Sequence, residues 1–124
     1  MSRASLHLFG CGNVGGHLLS ILCRQRDAIA ARHGIDIDVV AITNRNGTWF
    51  DADGLDPTQF TAGVQERIDP ALVIDRVARL PYPIFVDVSA FDGASNHYLR
   101  AFRRGLAVVT ANKIPLVAAS DRHR

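Results

Sequence analysis

Three observations predict an α/β fold built on a doubly wound, mainly parallel sheet. Apolar, β-branched runs alternate with stretches of helical spacing along the 124 residues. The first run, Leu6-His7-Leu8-Phe9, ends in the G-x-G-x-x-G spacing of Gly10, Gly12 and Gly15 and passes at once into a helical pattern. A later run, Ile84-Phe85-Val86-Asp87-Val88-Ser89, reads as the continuous apolar strand of a parallel sheet buried on both faces. Together they describe a single Rossmann-like domain.

The elements follow in order. After the first strand each glycine has a separate task. Gly10 turns the chain sharply, Gly12 lets backbone approach a pyrophosphate, and Gly15 lets the next helix pack close to the sheet. That helix starts with unpaired N–H groups and a partial positive charge aimed at phosphates. Val14, Leu18, Ile21, Leu22 and Ile29 recur at helical intervals and are expected on its inner face, with His33-Gly34 as its stop. Ile35, Ile37, Val39, Val40 and Ile42 form a second strand.

Turn-formers occupy Thr43-Asn44-Arg45-Asn46-Gly47, and a polar, irregular stretch is expected to about Gly63. Its Trp49, Phe50, Leu55 and Phe60 are read as pinning that loop down. Asp69-Pro70 reads as an N-cap followed by proline at the first helical position. Ala71, Leu72, Ile74, Val77, Ala78 and Leu80 continue that helix until Pro81 and Pro83 end it. The third strand runs to Ser89. A helix over 94–104 places Tyr98, Ala101 and Phe102 inward and stops at Gly105. Leu106-Ala107-Val108-Val109-Thr110 is a fourth strand, Ala111-Asn112-Lys113 a turn, and Ile114-Pro115-Leu116-Val117 the start of another helix. The domain is expected over residues 1–117, with 118–124 as a frayed tail.

Alternation of strands and helices implies right-handed crossovers. The long second connection is simplest if it returns across the first strand, giving the strand order 2-1-3-4. The switch point then lies beside Gly10, and Asn44, Ser89 and Thr110 line a ligand crevice.

Composition narrows the function classes. The chain is 48% hydrophobic and 21% charged with a net charge of +2, which argues against nucleic acid as a partner. Arg100, Arg103 and Arg104 read as a solvated helix face. No apolar run is long enough for a membrane span, and no secretory signal is evident, so a cytoplasmic protein is expected. Cys11 and Cys23 do not suggest a disulfide framework, and the five histidines lack metal-ligand spacing.

The nucleotide class rests on the end of the second strand. An acidic residue there would bind a ribose 2′-hydroxyl and favour NAD. Asp36 and Asp38 stand at the other end, while Thr43, Asn44 and Arg45 occupy the position. A guanidinium there suits a 2′-phosphate, so NADP is favoured, with NAD as the alternative.

The block from Phe9-Gly10-Cys11-Gly12-Asn13-Val14-Gly15 to Leu19, then Val86-Asp87-Val88-Ser89, Tyr98 and Gly105, and above all Val108-Val109-Thr110-Ala111-Asn112-Lys113, resembles the cofactor domain of homoserine dehydrogenases. The region through Ile42 most resembles the dehydrogenase half of bifunctional aspartate kinase–homoserine dehydrogenases. The resemblance implies reduction of aspartate semialdehyde to homoserine with NADPH or NADH, on the route to threonine and methionine. It places Asn13 and Val14 beside the pyrophosphate, and Thr43, Asn44 and Arg45 near the adenosine ribose. Ser89, Ala90, Thr110 and Asn112 lie along the cofactor, and Lys113 approaches the nicotinamide and the substrate as the candidate catalytic group. Ser89 stands where many members carry threonine.

In that family a substrate domain follows, with the acid/base lysine, the carboxylates that hold the amino-acid group, a metal site and much of the dimer interface. The last seven residues do not continue the family pattern. The expectation is therefore a cofactor domain, inactive by itself, completed by a substrate-domain chain or a homo-oligomer. Asp87, on a buried strand, is expected to face backbone or a helix end rather than substrate, and Asp92 to lie in a loop. Two other readings stay open: a stand-alone dinucleotide-binding or sensor module, and a related reductase such as dihydrodipicolinate reductase. The Thr110-Ala111-Asn112-Lys113 block speaks against the second.

Overall fold

The computed structural model describes residues 2–10, 13–44, 47–55, 69–89 and 95–110, with the backbone alone at 13–15 and 95. Its elements are β1 (Ser2–Phe9), α1 (Asn13–His33), β2 (Ile35–Asn44), β3 (Gly47–Phe50), α2 (Pro70–Val77), β4 (Pro83–Asp87), α3 (Ser95–Arg103) and β5 (Ala107–Thr110). The sheet order is β3-β2-β1-β4-β5. β1 pairs in parallel with β2 and β4, and β4 with β5, while β3 runs antiparallel at the edge. The expected order of the four parallel strands is therefore met.

β3 corrects the sequence reading. Residues 47–50, assigned to an irregular stretch, form a strand antiparallel to β2, with Gly47 opposite Asn44. The signal was a turn-forming cluster followed at once by the β-branched and aromatic run Thr48-Trp49-Phe50. Trp49, Phe50 and Leu55 do pin this segment, while Phe60 lies outside the described residues. Trp49 packs with the layer under α1, and Phe50 with the opposite layer, where the Arg76 guanidinium lies 5.8 Å above its ring.

The sheet divides the core in two. Ala4, Leu6, Leu8, Val39, Ile42 and Val86 face α1 and meet Leu19. Phe9, Val40, Ala41 and Phe85 face α2 and α3 and meet Val73, Ile74, Val77, Tyr98 and Ala101. Between Leu6 and His7 the β1–β2 register slips by one residue, so Val40 is the extra residue of a bulge. The returning loop satisfies the carbonyls there, with Asp51 N donating to Val40 O and Leu55 N to Val39 O.

The helices are placed as expected, with shifted faces. On α1, Leu19 is the buried contact, Leu18 and Leu22 pack beside it, and Ile21 is 48% exposed rather than inward. Ile21 sits one flank beyond the stripe that meets the sheet. Asp69 caps α2 by accepting from Ala71 N, with Pro70 in the first turn. That helix ends at Val77 rather than Leu80. Val73, Ile74 and Val77 are its buried face, and Leu72 points outward. On α3, Tyr98 and Ala101 are fully buried, whereas Phe102 is 47% exposed, and Leu106 after the helix closes the core instead. Gly34 and Gly105 end α1 and α3 with positive φ, as helix-stopping glycines do. Among the described residues no helix is long and apolar enough to cross a membrane.

Candidate functional site

The C-terminal ends of the four parallel strands converge in one row, joined by the start of antiparallel β3. Thr48, Thr43, Phe9, Asp87 and Thr110 are register partners across all five strands. Strand order reverses direction at β1, so the crevice outside this row is the topological switch point. Gly10 leaves β1 at that point with φ +92°, a conformation that favours glycine. Its N–H donates to Thr43 O at 2.7 Å, and Val88 N donates to Phe9 O at 3.0 Å, so both neighbouring strand ends are tied to the turn. A Cβ on Gly10 would stand 2.7 Å from Ser89 Cβ and 2.8 Å from Ser89 N, so the two crevice walls touch at this glycine.

α1 begins three residues later, at Asn13. Its first turn carries no acidic residue, while Arg32 and His33 stand in its last turn. That arrangement leaves the positive end of the helix available to an anion and neutralises the negative end with cations.

Beneath the rim lies a buried polar row. His7 Nε2 shares a 2.8 Å hydrogen bond with Thr43 Oγ1, which shares one of 2.9 Å with Thr48 Oγ1. All three side chains are buried. Burial, with the nearby His97 as a lesser cause, pushes the His7 imidazole down to about 3, so it is neutral. Its ring meets Phe85 edge-on, with centroids 5.1 Å apart. The Thr43 hydroxyl, expected near a ribose, is thus turned inward. The β1–β2 bulge sets that facing, because one extra residue reverses which side of the sheet the later residues of β2 meet.

On the other side of Gly10, Asp87 is fully buried. Its Oδ1 accepts from Ser89 N at 2.8 Å and from Ser89 Oγ at 2.6 Å. Its Oδ2 accepts from the Tyr98 hydroxyl, which also bonds Thr110 Oγ1 at 2.6 Å. Burial and this carboxylate hold the Tyr98 phenol above its ordinary range. Asp87 faces backbone as expected. Tyr98 as its partner was missed, and the one sequence signal was an acid inside an otherwise apolar strand.

Gly10, Asn44, Ser89 and Thr110 therefore stand at or just past the strand ends along one edge of the sheet, with α1 starting at Asn13, three residues after Gly10. Gly12, Arg45, Ala90, Asn112 and Lys113 lie outside the described residues. Asp36 and Asp38 are at the far end of β2, engaged by Arg26 at 2.8 and 2.7 Å, and Arg3 reaches Asp38 at 2.6 Å. They are structural ties there, at the end of the strand away from the glycine turn.

A mainly parallel sheet with a glycine turn and a helix N-terminus at its switch point defines a dinucleotide-fold domain. Residues 10–124 match the family model described as homoserine dehydrogenase, NAD binding domain, and the chain belongs to that family. It is 31% identical over 127 residues to the homoserine dehydrogenase of Pyrococcus horikoshii, covering 96% of this chain and 39% of that protein. It is 30% identical over 113 residues to the bifunctional aspartokinase/homoserine dehydrogenase of Haemophilus influenzae, covering 87% of this chain and 14% of that one. A hyperthermophilic archaeal homoserine dehydrogenase solved in complex with NADPH superposes with a TM-score of 0.74 at 27% identity, over 97% of this chain and 39% of that chain. The chain thus spans well under half the length of these relatives.

Proposed function

We propose that this chain is the cofactor-holding part of a homoserine dehydrogenase, binding NADP(H) across the crevice at Gly10 for the reduction of aspartate semialdehyde to homoserine. The observation that carries the reading is the touching of the Gly10 turn and the Ser89 wall beside an α1 N-terminus free of carboxylates. Such a site fits a pyrophosphate: backbone N–H groups and the helix dipole meet the anion, and no first-turn carboxylate opposes it. The archaeal relative solved with NADPH supports the same ligand class.

The bound dinucleotide supplies the hydride. The chain's own part is placement. Gly12 lets backbone approach the pyrophosphate, Asn13 and Val14 flank it, and Asn44 and Arg45 flank the adenosine ribose, with Arg45 pairing a 2′-phosphate. Ser89, Ala90, Thr110 and Asn112 hold the nicotinamide half, and Lys113 stands at the substrate end. The grip on the amino-acid group comes from a substrate domain or a partner copy, in the cytoplasm, within threonine and methionine formation.

Calorimetry of NADPH binding tests this. Gly12→Val should abolish binding, because a side chain would occupy the place of the pyrophosphate. A variant binding as tightly as the wild type would refute the assignment.

A further inference from the structure

Asp87 poses a question that packing does not answer. A buried carboxylate is expensive unless several donors meet it, and an apolar residue would fill the end of a parallel strand at less expense. Here the donors come from the strand's own continuation and from α3. Ser89, two residues on, gives its backbone N–H and its hydroxyl to Oδ1. Tyr98, from the first turns of α3, gives its hydroxyl to Oδ2 and bonds Thr110 at the end of β5. The carboxylate therefore joins the ends of β4 and β5 to α3.

What this does to the crevice follows from Ser89. Once its N–H is drawn back to Asp87, the chain leaves the strand direction and presents the Ser89 backbone to Gly10. The contact is close enough that a Cβ on Gly10 would stand 2.7–2.8 Å from three Ser89 atoms. The glycine turn is itself fixed to β2 by the 2.7 Å bond from Gly10 N to Thr43 O. The Val88 N–Phe9 O bond fixes the strand end to the turn, and the wall one residue further on, at Ser89, is held by a side chain that never reaches the crevice.

We propose that Asp87, clamped by Tyr98 and Thr110, is a positioning residue for the dinucleotide: it holds the Ser89 backbone against the Gly10 turn and so sets the crevice for a ligand that crosses from one wall to the other. The inference rests on the dinucleotide reading above. A ligand confined to the glycine-turn side, such as ADP, touches one wall only. NADPH touches both. Loss of the clamp therefore separates the two ligands, which a general loss of stability would not do.

The experiment uses the 124-residue chain with Asp87→Asn and Tyr98→Phe, measuring NADPH and ADP affinity by calorimetry and amide hydrogen exchange at Ser89. Asp87→Asn should weaken NADPH by about tenfold or more, as when a charged acceptor is removed from a buried network, and ADP far less. Ser89 exchange should rise with it. Tyr98→Phe, which spares both Ser89 bonds, should give a smaller shift in the same NADPH-to-ADP ratio, and it carries the test if Asp87→Asn does not fold. An unchanged ratio in a folded variant overturns the proposal. If the wild type binds no NADPH, the dinucleotide reading fails instead. Ser89 exchange then still decides whether Asp87 holds the wall, and exchange equal to wild type would overturn that too.

Discussion

Acidification from pH 7.5 to pH 5 should remove about 2 kcal/mol of stability through one side chain, His7. The residue is fully buried in the central strand, bonded to Thr43 through Nε2, with no hydrogen-bond partner for Nδ1 among the described residues. Burial holds its pKa at about 3 in the folded protein, against 6.5 for a free imidazole. Between those values the unfolded chain binds a proton that the native one refuses. Stability is therefore intact above pH 6.5, falls as the pH drops through it, and goes on falling until about 3. Each pH unit in that window is worth about 1.4 kcal/mol, so pH 5 costs about 2 kcal/mol. That is a large share of the stability of a domain this size, about 5–15 kcal/mol. The assay is urea unfolding at several pH values for the wild type and His7→Gln, whose amide can still bond Thr43 but does not titrate. His97, also lowered by burial, contributes equally to both proteins and drops out of the difference. A difference between the two that stays constant from pH 7.5 to 5 would refute the reasoning.

Gly10→Ala should destabilise by about 1–3 kcal/mol from backbone strain at positive φ alone, with the Ser89 contact adding to it. Urea midpoints measure this, and an unchanged midpoint would contradict the close approach of the two walls. Arg45→Ala should weaken NADPH by about 1–3 kcal/mol, the size of a lost charge-assisted contact, and leave NADH nearly unaffected. Equal losses for both cofactors would remove Arg45 from the 2′-phosphate. The 124-residue chain alone should not oxidise NADPH with aspartate semialdehyde above background, since the alkoxide formed needs a positioned acid and the substrate needs a grip. Turnover that Lys113→Ala abolishes would overturn this.

Local sequence patterns were enough for the order of the four parallel strands and the three helices between them, though not for β3. Those features are written in local spacing: alternating apolar runs, the Asp69-Pro70 start, the stops at Gly34 and Gly105, and the glycine turn that marks the switch point. The same patterns also placed Asn44, Ser89 and Thr110 at one rim, because strand ends in a parallel sheet must gather there. The facing of their neighbours was set by contacts between elements. The bulge at Val40 belongs to a pairing between strands, not to either strand alone, and it turned Thr43 inward to His7. Ile21 and Phe102 fit a helical stripe but lie outside the width of sheet and helix available to cover them. The Asp87–Tyr98–Thr110 clamp joins β4, α3 and β5 through side-chain bonds 11 and 12 residues apart in sequence. Periodicity reports only whether a position is inside or outside. Which polar groups meet once inside depends on register and helix docking, and those are settled by the packing of the whole domain.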